Sequence, residues 1–148
     1  MAQTLSLNLV HIVFSTKQRM PLINDEIGPA LHAYLAGTAR KLDCECFRVG
    51  GVQDHVHLAL RLASTRTSAK VVSEIKTASS VWMKQQGVPR FAWQSGYGLF
   101  SVGPADLGAL MQYIDGQRQH HAKRSFQDEL RGFCEKYHVA IDERYIWD

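Results

Sequence analysis

The alternation of hydrophobic and polar positions predicts that the chain begins with a long β-strand over residues 5 to 16. Apolar and β-branched residues first alternate with polar ones and then form a nearly continuous run, which is typical of a strand with one buried face. From residue 25 to residue 42 the apolar positions recur at helical spacing instead, and Asn24 or Asp25 can cap the start. A helix therefore follows the first strand.

Two further strand-like runs, CECFRVGGV and HVHLALRLA, come next. Between them, Gln53 and Asp54 follow a Gly50-Gly51 pair that permits a sharp turn, so the two runs are expected to form a hairpin. A second helix is predicted over residues 67 to 86, because the apolar positions again follow helical spacing up to a glycine and a proline.

The last part of the chain predicts one more strand and two helices. Residues 91 to 103 alternate aromatic and small residues, as a strand with glycine kinks would. Helical patterns then cover residues 105 to 124 and, approximately, residues 125 to 137.

This order of elements contains the split βαβ pattern of ferredoxin-like folds. We therefore expect an α+β fold with a ferredoxin-like antiparallel sheet, helices packed mainly on one face, and a tyrosine-bearing C-terminal helix. Residues 1 to 148 fit a single domain, which is large enough to bury a core without disulfides.

Composition and charge narrow the function only slightly. The content of 45% hydrophobic and 21% charged residues is that of a globular protein rather than a disordered one. No stretch has the length of a membrane span, and the N-terminus lacks the features of a signal peptide. Three cysteines without a CxxC pair indicate free thiols in a reducing cytoplasm. A net charge of +3 is compatible with nucleic acid and with many other partners.

The first candidate site is the HVH triplet. Side chains at positions i and i+2 of a strand project from the same face about 6.6 Å apart, so His55 and His57 can converge on one metal while Val56 points into the core. The triplet by itself is a weak motif, because seven histidines in a chain of this length produce one readily by chance.

The second candidate site lies on the predicted helix over residues 105 to 124. Tyr113 and Gln117 are four residues apart and share a helix face, with His120 and His121 one turn further. Tyr113 can equally be a core aromatic residue, and Gln117 a solvated position. Phosphodiester cleavage needs a nucleophile and a group that neutralises phosphoryl charge, and a tyrosine beside a metal supplies both.

Basic and aromatic side chains offer possible contacts to a nucleic acid. Positive residues suited to phosphates are Lys17, Arg19, Lys76, Arg118, His120, His121 and Lys123. Ordinary solvated charge explains each of them equally well. The aromatic residues between positions 91 and 100 can stack on unpaired bases or belong to the core.

Several segments together resemble the single-tyrosine HUH transposases of the insertion-sequence 200/605 type and the related REP-associated tyrosine transposases. The matching segments are HIVFSTKQRMPLI, DHVHL, the helix around residues 76 to 82, FAWQSGYGLFSV and YIDGQRQHH. The last of these fits the family's YIxxQxxHH spacing in full and is the most specific. Gln53 stands where many members have proline, which concerns the turn rather than the chemistry.

The resemblance implies a mechanism and partners. His55, His57 and Gln117 would bind Mg or Mn, and Tyr113 would attack single-stranded DNA at hairpin-flanked ends, leaving a 5'-phosphotyrosine and a free 3'-hydroxyl. The resemblance further implies a homodimer in which the tyrosine helix of one subunit serves the HUH strand of the other. Two alternatives stay open: a protein that only binds hairpins, and a metal-dependent hydrolase in which Tyr113 is structural.

Overall fold

A computed structural model describes residues 2–121 and 123–148, and its centre is one antiparallel sheet of four strands. The strands lie in the order β2-β3-β1-β4 and have the bounds β1 (Leu9–Ser15), β2 (Glu45–Val52), β3 (His55–Arg61) and β4 (Gly98–Ser101). Every neighbouring pair is antiparallel. This is the ferredoxin-like arrangement, so the predicted fold class is confirmed.

Helices α1 (Gly28–Lys41) and α2 (Ser68–Gln85) cover one face of the sheet. The apolar residues at alternate positions of β1 and β3 point toward these two helices and form the main core with them. Thr67 caps α2, because its side chain accepts a hydrogen bond from the Lys70 N–H at 3.2 Å. The apolar positions that recur at helical and strand spacing in the sequence are therefore the ones that form this face of the core.

The opposite face carries α3 (Leu107–Asp115), α4 (Gln117–His121) and α5 (Phe126–Lys136). The single helix predicted over residues 105 to 124 is in fact two helices, because the chain leaves helical geometry at Gly116. Residues of α5 form a second apolar cluster with Val13 and Phe100. The sheet is thus covered on both faces, and the C-terminal helices bring the predicted chemistry onto the second one.

The predicted hairpin between β2 and β3 is present, but its two glycines do not lie in the turn. Gln53 and Asp54 form the turn, whereas Gly50 and Gly51 lie inside β2, where they pair with His57 and Val56. The two glycines are needed for close packing rather than for the turn: a Cβ on Gly51 would collide with the His55 carbonyl oxygen.

The aromatic segment also differs from its prediction. Only residues 98 to 101 of the predicted strand over 91 to 103 are in the sheet. Phe91, Trp93 and Phe100 are buried in the two apolar clusters, and the Trp93 indole donates to Ser79 Oγ at 2.9 Å. These three rings are core residues and are not exposed for base stacking. No helix among the described residues is long and apolar enough to cross a membrane.

Candidate functional site

Four potential metal ligands from three elements meet on the second face of the sheet. They are His55 and His57 of β3, His121 at the end of α4 and Glu129 of α5, and their ligand atoms all lie within 4.8 Å of one another. Glu129 Oε1 is 3.0 Å from His57 Nε2, and Glu129 Oε2 is 3.2 Å from His121 Nε2. We call these four residues the His/Glu cluster. Strand alternation places both β3 histidines here, while Val56 points into the main core as expected.

Two neighbouring side chains fix the orientation of the β3 imidazoles. Asp54 Oδ1 lies 2.7 Å from His55 Nδ1, and His11 Nε2 lies 2.7 Å from His57 Nδ1. An ionised carboxylate only accepts hydrogen bonds, so His55 Nδ1 donates and its Nε2 faces the cluster. Such outer partners set the tautomer and ring orientation of metal-binding histidines.

The charges of the cluster suit a cation. Burial opposes protonation of His55, but the hydrogen bond to Asp54 and the nearby Glu129 carboxylate outweigh it and raise its pKa to about 9. Burial lowers the pKa of His57 to about 4, so this ring stays neutral. Burial disfavours the charged form of Glu129 as well, yet the neighbouring imidazoles of His121, His55 and His57 hold its pKa well below the usual range. The carboxylate is therefore ionised and surrounded by imidazoles.

Two buried atoms in the cluster lack a hydrogen bond. His57 Nε2 and Glu129 Oε1 are 3.0 Å apart, but they are not aligned for hydrogen bonding, and neither atom makes another hydrogen bond. A buried imidazole nitrogen and a buried carboxylate oxygen without hydrogen bonds are costly unless a cation binds both of them. The donor set of imidazole nitrogens and a carboxylate oxygen is one that divalent transition metals accept. The described residues thus fit a divalent metal.

The amide oxygen of Gln117 points toward the His/Glu cluster. Its Oε1 is 3.2 Å from His55 Nε2, and its Nε2 donates to Glu129 Oε2 at 3.4 Å. The side chain is almost fully buried, with 1% exposed. Because the amide nitrogen is engaged by the carboxylate, the oxygen is the atom that faces the His55 nitrogen. The solvated position considered from the sequence is therefore wrong for Gln117.

Tyr113 reaches the cluster through its hydroxyl. The hydroxyl donates to Glu129 Oε2 and lies 3.2 Å from His120 Nε2. Its ring packs edge-on against His57, with ring centroids 5.7 Å apart. Burial and the neighbouring Glu129 carboxylate raise the pKa of Tyr113 far above its ordinary value. The phenol is consequently neutral, held beside the His/Glu cluster, and next to groups that can accept its proton.

Tyr113 and Gln117 lie beside His55 and His57 of their own chain. All the site residues described above therefore come from one chain. The homodimer, with a tyrosine helix exchanged between subunits, stays a prediction.

The residues predicted to contact DNA fall into separate places. His121 belongs to the cluster and His120 to its edge, where its Nε2 is 3.2 Å from Glu129 Oε2. Lys17 and Lys123 are exposed, and Arg19 is half-buried on the turn after β1. Arg118 is exposed and pairs with Asp25 at 3.1 Å. A role of these residues in DNA binding stays a prediction.

Lys76 makes its contacts within the fold. Its ammonium donates to the backbone carbonyls of Gln94 at 2.8 Å and of Gly96 at 2.6 Å, and it lies 5.2 Å from the centroid of the Phe14 ring. Burial lowers its pKa to about 8. A phosphate contact by Lys76 would have to break these bonds, so the structure gives it a role in holding the segment over residues 94 to 96.

Sequence reasoning did not identify Glu129, His11 or Asp54 as parts of the site. A signal existed for the first two. Glu129 occupies the apolar stripe of α5 between Phe126 and Leu130, and His11 alternates with buried apolar residues in β1. A polar residue on an otherwise apolar face must find a buried partner, although the pattern does not say which one.

Comparisons with known proteins identify the family and the fold. Residues 4–117 match the family described as "Transposase IS200 like". The fold is similar to that of a transposase-like protein from Deinococcus radiodurans R1, at 24% identity and a TM-score of 0.62, covering 78% of this chain and 95% of that one. It is also similar to a REP-associated tyrosine transposase bound to a REP hairpin, at 15% identity and a TM-score of 0.60, covering 82% of this chain and 74% of that one.

A search of curated proteins finds no significant match to this chain. The family match spans β1 to the start of α4 and therefore includes Asp54, both β3 histidines, Tyr113 and Gln117. A match over more than half of the residues establishes membership, and the chain belongs to the IS200-like transposase family.

Proposed function

We propose that this protein cleaves and rejoins single-stranded DNA at hairpin-flanked ends of a mobile element, through a covalent 5'-phosphotyrosine at Tyr113. One observation carries the proposal: a single carboxylate, Glu129, contacts both the Tyr113 hydroxyl and the two β3 histidines. A nucleophile and a candidate metal centre thus share one site. The hairpin bound by the similar REP-associated transposase supports the choice of substrate.

A divalent metal would be held by His55, His57 and Gln117, with Glu129 and His121 close enough to join them. When bound, such a metal neutralises charge on the phosphoryl oxygens. Asp54 and His11 keep the two imidazoles oriented, as their 2.7 Å contacts show. Mg or Mn fits the oxygen ligands of the proposed set, because both ions prefer carboxylate and amide oxygens.

The reaction exchanges one ester for another. The Tyr113 oxygen bonds to the phosphorus, the bond from phosphorus to the 3'-oxygen breaks, and that oxygen leaves as a 3'-hydroxyl after taking a proton from water. Glu129 Oε2 accepts the hydrogen bond of the Tyr113 hydroxyl, and the phenolic proton passes to His120 Nε2, which lies 3.2 Å from the hydroxyl oxygen. Attack by another 3'-hydroxyl on the phosphotyrosine reverses the step and joins the strands without an external energy source.

The test is a covalent adduct. Purified protein, manganese and a hairpin oligonucleotide with a single-stranded flank are mixed and resolved under denaturing conditions. The wild-type chain is expected to carry labelled DNA and Tyr113→Phe to carry none. Tyr34→Phe is the matched control, because Tyr34 stacks on Trp82 on the other side of the sheet.

The product ends separate this proposal from its alternatives. Cleavage without protein-bound DNA would identify a hydrolase that uses the His/Glu cluster and water. Hairpin binding without cleavage, with either metal, would identify a binding protein. An adduct of undiminished yield in Tyr113→Phe would contradict the assigned nucleophile.

A further inference from the structure

Gly50 lies on β2 directly opposite His57 of β3. The side chains of a cross-strand pair project from the same face of a sheet. A side chain at position 50 would therefore project toward the second face, where α3 packs on β2 and carries Tyr113.

The space on that side of Gly50 is already filled by α3. A Cβ atom at position 50 would lie 2.8 Å from Ile114 Cγ2 and 3.0 Å from the Ile114 carbonyl oxygen. Carbon atoms in favourable contact are about 3.5–4.0 Å apart. The backbone of Gly50 does not have a positive φ, so its conformation does not require glycine. The missing side chain is needed for the close approach of the helix.

Ile114 is the residue next to Tyr113, and only 1% of it is exposed. Its contact with Gly50 thus fixes the height of the tyrosine helix above the sheet. Arg48 of β2 and Asp115 of this helix also form an exposed pair, 3.1 Å apart. Exposed pairs contribute little to stability, so this pair does not set the separation that the buried Gly50–Ile114 contact limits.

We infer that Gly50 is a positioning residue for DNA cleavage: its missing side chain lets α3 dock on β2 of the same chain and holds the Tyr113 hydroxyl at the His/Glu cluster. This inference rests on the proposed function. Addition of one methyl group would lift the helix by about 1 Å, to restore an ordinary contact distance. A misplacement of that size can cost on the order of a hundredfold in rate.

The test compares Gly50→Ala with Gly108→Ala, using adduct formation and amide hydrogen exchange. We expect Gly50→Ala to slow single-turnover adduct formation by about 10- to 100-fold, and Gly50→Val to slow it more. Exchange should accelerate in residues 107–121 but not in β1 and β3. Hairpin affinity should stay within about twofold of wild type, because the loss is one of position.

Gly108→Ala is the matched control. Position 108 lies on the same helix, but a Cβ atom there meets nothing within 4 Å. Its adduct rate should equal that of the wild-type chain, and its exchange should not accelerate, because alanine is a better helix former than glycine. If Gly50→Ala also leaves the adduct rate and the exchange of residues 107–121 unchanged, the inference is wrong.

A double variant covers the case in which Gly50→Ala folds poorly. Ile114→Ala removes the Cγ2 atom that the new methyl group meets, although the carbonyl oxygen at 3.0 Å remains. In the double variant, which combines Ile114→Ala with Gly50→Ala, the losses of adduct rate and of exchange protection should be smaller than the sums of the losses in the two single variants. Purely additive losses would contradict the inference.

The exchange measurement also separates this inference from the proposed function. If the wild-type chain forms no adduct, the proposed function fails. Faster exchange of residues 107–121 in Gly50→Ala would then still support docking through Gly50, and unchanged exchange would overturn it.

Discussion

The two faces of the sheet are built from the same strands but bury different kinds of side chain. On the first face, the alternate residues of β3 are apolar, including Val56 and Leu58, and they pack against α1 and α2. On the second face, the intervening residues His55 and His57 are equally buried, but they contact a carboxylate. The first face gains stability from apolar burial, whereas the second buries polar groups that are costly unless each finds a partner. Alternate residues of β3 thus serve different purposes: those on the first face stabilise the fold, and those on the second face form the candidate site.

The largest effect should come from the second face. His57→Ala removes a group that faces both Glu129 and Tyr113, and we expect adduct formation to fall by at least about a thousandfold. The melting temperature should fall as well, because the variant leaves a cavity and removes the partner of the buried His11 nitrogen. Single-turnover adduct assays and thermal unfolding measure the two quantities.

His32→Ala is the control for that variant, since His32 lies on α1 on the other side of the sheet. Its adduct rate should match that of the wild-type chain. A fall in rate shared by both variants would contradict the division between the faces.

The neighbouring residue on the first face should show the reverse behaviour. Leu58 is fully buried in the main core, so Leu58→Ala should lower the free energy of unfolding by about 3 kcal/mol. Urea unfolding measures this loss. At a temperature where the variant is folded, its adduct rate should stay within about threefold of wild type. A specific loss of activity in the folded variant would show that the faces are not independent.

A smaller effect is expected at the helix that closes the second face. Gln117→Ala removes the amide oxygen beside His55, and we expect manganese affinity and adduct rate each to fall by about 10- to 100-fold. Titration with manganese and the adduct assay test this. Gln119→Ala is the control, because Gln119 is exposed two residues away. Unchanged manganese affinity in Gln117→Ala would remove Gln117 from the ligand set.

The smallest effect concerns a charge that serves the fold. Lys76→Met breaks charged hydrogen bonds to two backbone carbonyls and should lower the free energy of unfolding by about 1–2 kcal/mol. The salt dependence of hairpin binding should not change, whereas Lys123→Ala should reduce its slope by about one. An equal reduction in Lys76→Met would mean that Lys76 contacts phosphate.

The sequence predicted the first face better than the second. Strand and helix periodicities report which positions are apolar, and this is sufficient for β1, β3, α1 and α2. The same periodicity did not show that Gly116 divides the tyrosine helix, since one glycine is tolerated in many helices. It also misassigned Gly50, because a close approach between β2 and α3 depends on residues far apart in the chain.

The second face was predicted only in part. His55, His57, Tyr113 and Gln117 were identified by their spacing and by the family resemblance, and the structure brings all four together. Glu129 was missed as a site residue, although it contacts all four of them directly. The sequence pattern of α5 shows only that a charged residue lies on an apolar helix face. It does not show which residue is its buried partner, because that contact forms only when the chain folds.

The most direct measurement is to locate the DNA attachment by mass spectrometry. After reaction with a hairpin substrate and digestion with nuclease and trypsin, the peptide over residues 91–118 contains two tyrosines, Tyr97 and Tyr113. The account predicts a nucleotide attached through a 5'-phosphate to Tyr113 and none on Tyr97. Attachment at Tyr97 or at another residue, or cleaved DNA without any modified peptide, would contradict it.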